Sequence, residues 1–149
     1  MRQALRLALV ASLVGGGLFG LIHTSSAASC VRIYRIYYNS PGSDTGSNKS
    51  LNAEWIQLKN RCGTARWLSD WKINDAAGNQ YVFGRFKLAG GKSVKLHTGK
   101  GTNTSTDRYW GRSRYVWNND KDTAYLYDRY GFRVDTCSYN NRSSSSVYC

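Results

Sequence analysis

Catalysis needs a base, a nucleophile or a bound metal, and the residues able to supply one are few in this 149-residue sequence. Beyond residue 28 the one histidine is His97. In Ser93-Val94-Lys95-Leu96-His97 the alternation turns Val94 and Leu96 inward and leaves Lys95 and His97 to water or a sheet edge. A single imidazole falls short of the three or four ligands a zinc site takes, and no nucleophile-elbow pattern is present. Thr98-Gly99-Lys100-Gly101-Thr102 resembles a phosphate-binding loop, but Val94 and Gly101 stand where that loop requires Gly and Ser or Thr. The calcium candidate is Asp44, Glu54 and Asp120, with Asn118 and Asn119 beside the last. Its spacing is not that of an EF-hand, and Asx residues in turns ordinarily make local hydrogen bonds. Glu54 shares the parity of Ile56 and Leu58, so its carboxylate belongs at the edge of a core and must be paired, by an arginine or a backbone amide. These residues name no catalytic group and no cofactor.

Binding chemistry is better represented. The formal charge is +12, and without the two leader arginines, Arg2 and Arg6, it is +10. The densest mixture of cations and rings is Asp107 to Trp117, in which Arg108, Tyr109, Arg112, Arg114 and Tyr115, with Lys100 nearby, form the candidate polyanion-binding set. Trp110 and Trp117 read as packing residues. Ring faces of this kind also suit sugars.

Residues 1–28 have the layout of an export signal: Arg2 and Arg6, an apolar run from Leu7 to Ile22, and the small residues Ser26-Ala27-Ala28. The run is too short for a stable membrane span once cleaved, and Ala27 stands where a lipid-attachment motif carries Leu. Residues 29–149 then form one exported domain, in or near the cell wall. Cys30, Cys62, Cys137 and Cys149 all lie in it, and an even count in an oxidising compartment reads as two disulfides. Three connectivities are possible. If Phe132 and Val134 face the core, Cys137 points to the other face, is poorly placed to bridge two sheets, and takes Cys149 to staple the polar tail. That leaves Cys30 for Cys62.

The elements that must position these groups read as strands. Ile56 and Leu58 alternate with Gln57 and Lys59, and Trp71 and Ile73 with Lys72 and Asn74, which predicts two antiparallel strands around the turn Arg61-Cys62-Gly63-Thr64. In Val31 to Tyr38 the apolar phase slips between Ile33 and Ile36, the mark of a bulge or of a strand that changes sheets. Asn39 to Asn52 and Thr98 to Thr106 read as loops, and Asn118-Asn119-Asp120 and Asp128 to Gly131 as turns. No helical period appears after the leader. The expected core is Ile56, Leu58, Trp71, Ile73, Phe83, Leu88, Val94, Leu96 and Leu126.

Glu54-Trp55-Ile56-Gln57-Leu58-Lys59-Asn60 resembles a strand of the lamin-tail domain family, and so do Tyr81-Val82-Phe83, Lys87 to Val94, Trp110-Gly111, Val116 to Asp120 and Leu126-Tyr127-Asp128. The likeness covers almost all of the exported part, in a secreted bacterial form. It implies an all-β, immunoglobulin-like β-sandwich, here stapled by disulfides, and a non-catalytic binding module. An anionic cell-envelope polymer or glycan is the expected partner. Extracellular DNA, or a protein engaging a sheet edge, are the alternatives.

Overall fold

The computed structural model describes residues 29–149, and the leader expected at 1–28 lies outside them. The strands are β1 (Val31–Tyr37), β2 (Trp55–Asn60), β3 (Arg66–Trp67), β4 (Lys72–Asn74), β5 (Gln80–Val82), β6 (Lys87–Leu88), β7 (Ser93–His97), β8 (Asp107–Tyr109), β9 (Lys121–Tyr127), β10 (Arg133–Asn140) and β11 (Ser146–Tyr148), with one short helix, α1 (Asn48–Ala53). They build a five-stranded sheet in the order β11-β1-β2-β7-β8, a four-stranded sheet in the order β10-β9-β4-β5, and a β3-β6 ribbon. The fold is all-β.

Strict alternation sets the layers. Glu54, Ile56, Leu58 and Asn60 face in from β2 while Trp55, Gln57 and Lys59 are only half-buried, and Ala124 and Leu126 face in from β9. Ile56, Leu58, Trp71, Ile73, Phe83, Leu88, Val94, Leu96 and Leu126 all lie in one buried cluster between the sheets. Tyr38 and Tyr139 stack at 3.8 Å and join the two sheets at the end away from Cys30.

The structure departs from the sequence reading in three places. β2 and β4 do not form a hairpin: β2 pairs with β1 and β7, while β4 pairs with β5 and β9 in the other sheet. The intervening chain crosses between sheets through the β3-β6 ribbon. The slip in β1, by contrast, is the expected bulge, between Ile33 and Arg35. Asn39 to Asn52 is not all loop, because Ser47 accepts from the Ser50 amide and caps α1. Asn48 and Asn52 then pin the helix by donating to the Lys100 carbonyl, each at 2.9 Å.

The third departure concerns Cys137. A second bulge, between Arg133 and Asp135, shifts the phase of β10. Phe132 lies in the turn before β10 and is 68% exposed, while Cys137 pairs with buried Ala124 and is itself buried, the reverse of the expected parity. Cys137 joins Cys149, just beyond β11, so that bridge links the two sheets; Cys30 joins Cys62 with Cα atoms 5.3 Å apart. Cys30 thus has no free thiol for a lipid.

Replacing Cys137 and Cys149 together by serine should lower the unfolding free energy in urea by about 3 kcal/mol. Leu58→Ala should cost roughly 2 to 5 kcal/mol in the same measurement.

Candidate polyanion-binding end of the sandwich

The sequence-nominated site residues do not come together. Arg108 turns onto the Phe86 ring, 4.0 Å from its centroid, and its Nε is buried without a partner. Tyr109 stacks on His97 at 5.0 Å. Tyr115 places its hydroxyl 2.6 Å from that of Ser50, bracing α1. Arg112 donates to the Asn79 side chain, and Lys100 is anchored by its main chain to Asn48. Lys100, Arg112 and Arg114 keep exposed side chains. Arg108, Tyr109 and Tyr115, the three groups on which stacking would depend, all serve instead as braces.

The calcium candidates also separate. Asp44 accepts from Asn119 at 2.9 Å, Asp120 pairs with Arg142 at 3.0 Å, and Glu54 is buried. Among the described residues no group of three or more His, Cys, Asp or Glu could hold a metal ion. His97 is committed on both nitrogens, to the Asn52 carbonyl and to the Asp107 carboxylate, each at 2.8 Å. The Thr106 hydroxyl, with His97, holds the Asp107 carboxyl below its ordinary range. With neither nitrogen free to take a substrate proton, His97 is a tether between α1, β7 and β8.

Glu54 takes its hydrogen bonds from the Thr98 hydroxyl at 2.6 Å and the Val116 amide at 2.8 Å, both on Oε1. Its partner is an amide and not an arginine. Burial pushes the carboxyl up to about 7 against those two bonds, and Oε2 has no partner.

The cations gather at the opposite end, where the chain enters β1. Asn60, fully buried, donates its side-chain amide to the carbonyls of Thr64, Leu88 and Ala89 and accepts from the Cys62 amide. Its own N–H goes to Lys92. These bonds fold the segments after β2 and after β6 onto each other. A Cβ on Gly90 would stand 2.1 Å from the Gly63 carbonyl, so only glycine fits there. The result displays Arg61, Arg66, Arg85, Lys87 and Lys92, all exposed, around Trp67, which is 49% exposed. Arg85 and Lys87 lie 5.6 and 5.5 Å from the Trp67 ring centre. No Asp or Glu occurs from 55 to 69 or from 76 to 106. The long-range signal in the sequence was that carboxylate-free pair of segments. The outer face of the five-stranded sheet is more self-contained: Arg35 lies 4.6 Å from the Tyr148 ring centre, and Tyr37 stacks on Trp55 at 5.4 Å.

The sequence model of the lamin tail domain matches residues 24–141, and the chain belongs to that family, whose members are non-catalytic immunoglobulin-like domains. Comparison with curated proteins finds no match.

Glu54 generates a pH test. Its folded pKa, about 7, lies above its ordinary 4.5, so the stability of the neutral form is complete below 4.5 and is lost as pH rises to about 7. Unfolding in urea should show the domain weaker by about 3 kcal/mol at about pH 8 than at about pH 4.5 from this group alone. Glu54→Gln should flatten that slope.

Proposed function

We propose that this domain is an exported, non-catalytic binding module of the secreted bacterial type, which loses residues 1–28 and attaches to an anionic polymer of the cell envelope. The observation that carries the reading is the exposed Trp67 ring flanked by Arg85 and Lys87, with exposed Arg61, Arg66 and Lys92 on the same pair of joined segments and no carboxylate in the segments that present them. Cations spaced around an apolar ring give charge-driven affinity together with a stacking surface for the non-ionic part of a repeating unit. Both disulfides suit an oxidising compartment.

Of the three carboxylates at the same end, Asp70 is exposed and the other two are engaged locally. Asp128 accepts from the amides of Tyr130 and Phe132, and Asp135 from the amides of Ile33 and Thr136. The other end holds Asp44, Glu54, Asp75, Asp107, Asp120 and Asp122, so the charge of the domain is sorted along its length.

Retention on immobilised inorganic polyphosphate across a salt series tests the reading. The unmodified domain should bind with strong salt dependence, and Arg66→Ser, Arg85→Ser and Lys87→Ser together should reduce the slope of log affinity against log salt by about 2 to 3 while leaving Tm nearly unchanged. Arg112→Ser with Arg114→Ser should retain most of the binding. A larger loss from Arg112→Ser with Arg114→Ser would move the site to the opposite end, and equal losses would mean that binding follows net charge and no localised site.

A further inference from the structure

We propose that the basic end docks on an anionic lipid surface, with the turn between β9 and β10 seated in the headgroup layer. This rests on the reading of that end as an anion-binding surface and names the anion: the phosphate of a lipid headgroup presented in a bilayer.

Tyr130 and Phe132 are 78% and 68% exposed. A soluble domain ordinarily hides large apolar side chains of this size, and a contiguous exposed set marks a contact surface. They are not on a slack loop. Asp128 accepts from both of their amides at 2.9 Å, the Asp128 amide returns to the Phe132 carbonyl, and Gly131 supplies the positive φ, +85°, that closes the turn. The two rings are therefore held outward by a preorganised turn, and ordering them on contact costs little. Arg129 lies 5.8 Å from the Tyr130 ring centre, and exposed Arg133 follows directly.

Strand register puts this turn at the basic end. Tyr127 pairs with Lys72, Lys72 with Val82, and the Ile33 amide reaches Asp135. Leu68, next to Trp67, donates to the Phe86 carbonyl in the segment that carries Arg85 and Lys87. Four of the six exposed large hydrophobics among the described residues, Trp67, Val82, Tyr130 and Phe132, thus belong to the end that also carries the excess of Arg and Lys. Aromatic residues favour the interfacial layer of a bilayer, and basic residues nearby favour its anionic headgroups. Both appear here on one end of a rigid body. Among the described residues no helix is long and apolar enough to cross a membrane, so contact would be with the surface. The cations and the Trp67 ring suffice for a soluble polyanion, whereas Tyr130 and Phe132 extend the apolar surface onto a second turn, and that extension favours the interfacial layer of a bilayer.

The test is co-sedimentation of residues 29–149, disulfides intact, with vesicles of phosphatidylcholine alone or containing phosphatidylglycerol, run beside retention on inorganic polyphosphate. The expected result is binding to the phosphatidylglycerol vesicles only, weakened about ten-fold or more in Tyr130→Ser/Phe132→Ser. Polyphosphate retention and thermal unfolding should be unchanged in that variant, whose altered side chains are solvent-facing. Vesicle binding that the double variant preserves, or polyphosphate binding without vesicle binding, overturns the lipid assignment. Failure to bind either probe overturns the reading of the basic end itself.

Discussion

The side chain of Asn60 is the point on which the functional end of the domain depends. It ends β2 facing inward, where a polar group can exist only if its bonding capacity is used. Its amide reaches three carbonyls on two different segments and its oxygen takes the Cys62 amide. The alternative for those backbone groups is burial without partners, at a cost of about 1 to 3 kcal/mol each. The Cys30–Cys62 bridge and the Gly63–Gly90 approach close the same joint covalently and sterically. With the segments fixed, the exposed cations beside them have nowhere to go but outward.

Charge separation along the sandwich follows from which residues each end needs. At the far end the loops are long, and they are ordered by acceptors: Glu54 under Val116 and Thr98, Asp107 against His97, Asp122 beneath Asn118 and Ala76. Carboxylates are used there as backbone-binding groups. At the basic end the connections are short; Asp128 and Asp135 bind amides of the β9–β10 side, while around Trp67 neutral Asn60 and glycine do that work. Cations there are left free for the outside, while Lys100, Arg112 and Arg114 share their end with most of the acidic residues.

Alternation alone revealed the layers. Ile56, Leu58, Ile73 and Leu126 are buried because a strand has period 2 and each strand offers one face to the core. Parity failed at the start of β10: Phe132 belongs to the turn and faces out, so the phase counted from it put Cys137 on the wrong face. The β2 to β4 pairing failed for another reason, since sequence-adjacent strands can belong to different sheets and periodicity does not say which. The binding segment nominated between Asp107 and Trp117 failed because density of Arg and Tyr along the chain is not density in space. Arg108 and Tyr115 are spent on Phe86 and α1, whereas Trp67, Arg85 and Lys87 meet only through the β3-β6 ribbon. The absence of Asp and Glu from 76 to 106 was visible from the start, and it marks the segment that packs against the turn after β2.

The most direct measurement is an amide chemical-shift map of residues 29–149, disulfides intact, titrated with short inorganic polyphosphate at low salt. Perturbations should gather at Arg61 to Trp67, Gly84 to Lys92 and Arg129 to Arg133, with Lys100 and Gly111 to Tyr115 silent. Perturbations centred on Gly111 to Tyr115, with Trp67 and its neighbours unmoved, would contradict the assignment of the basic end as the binding surface.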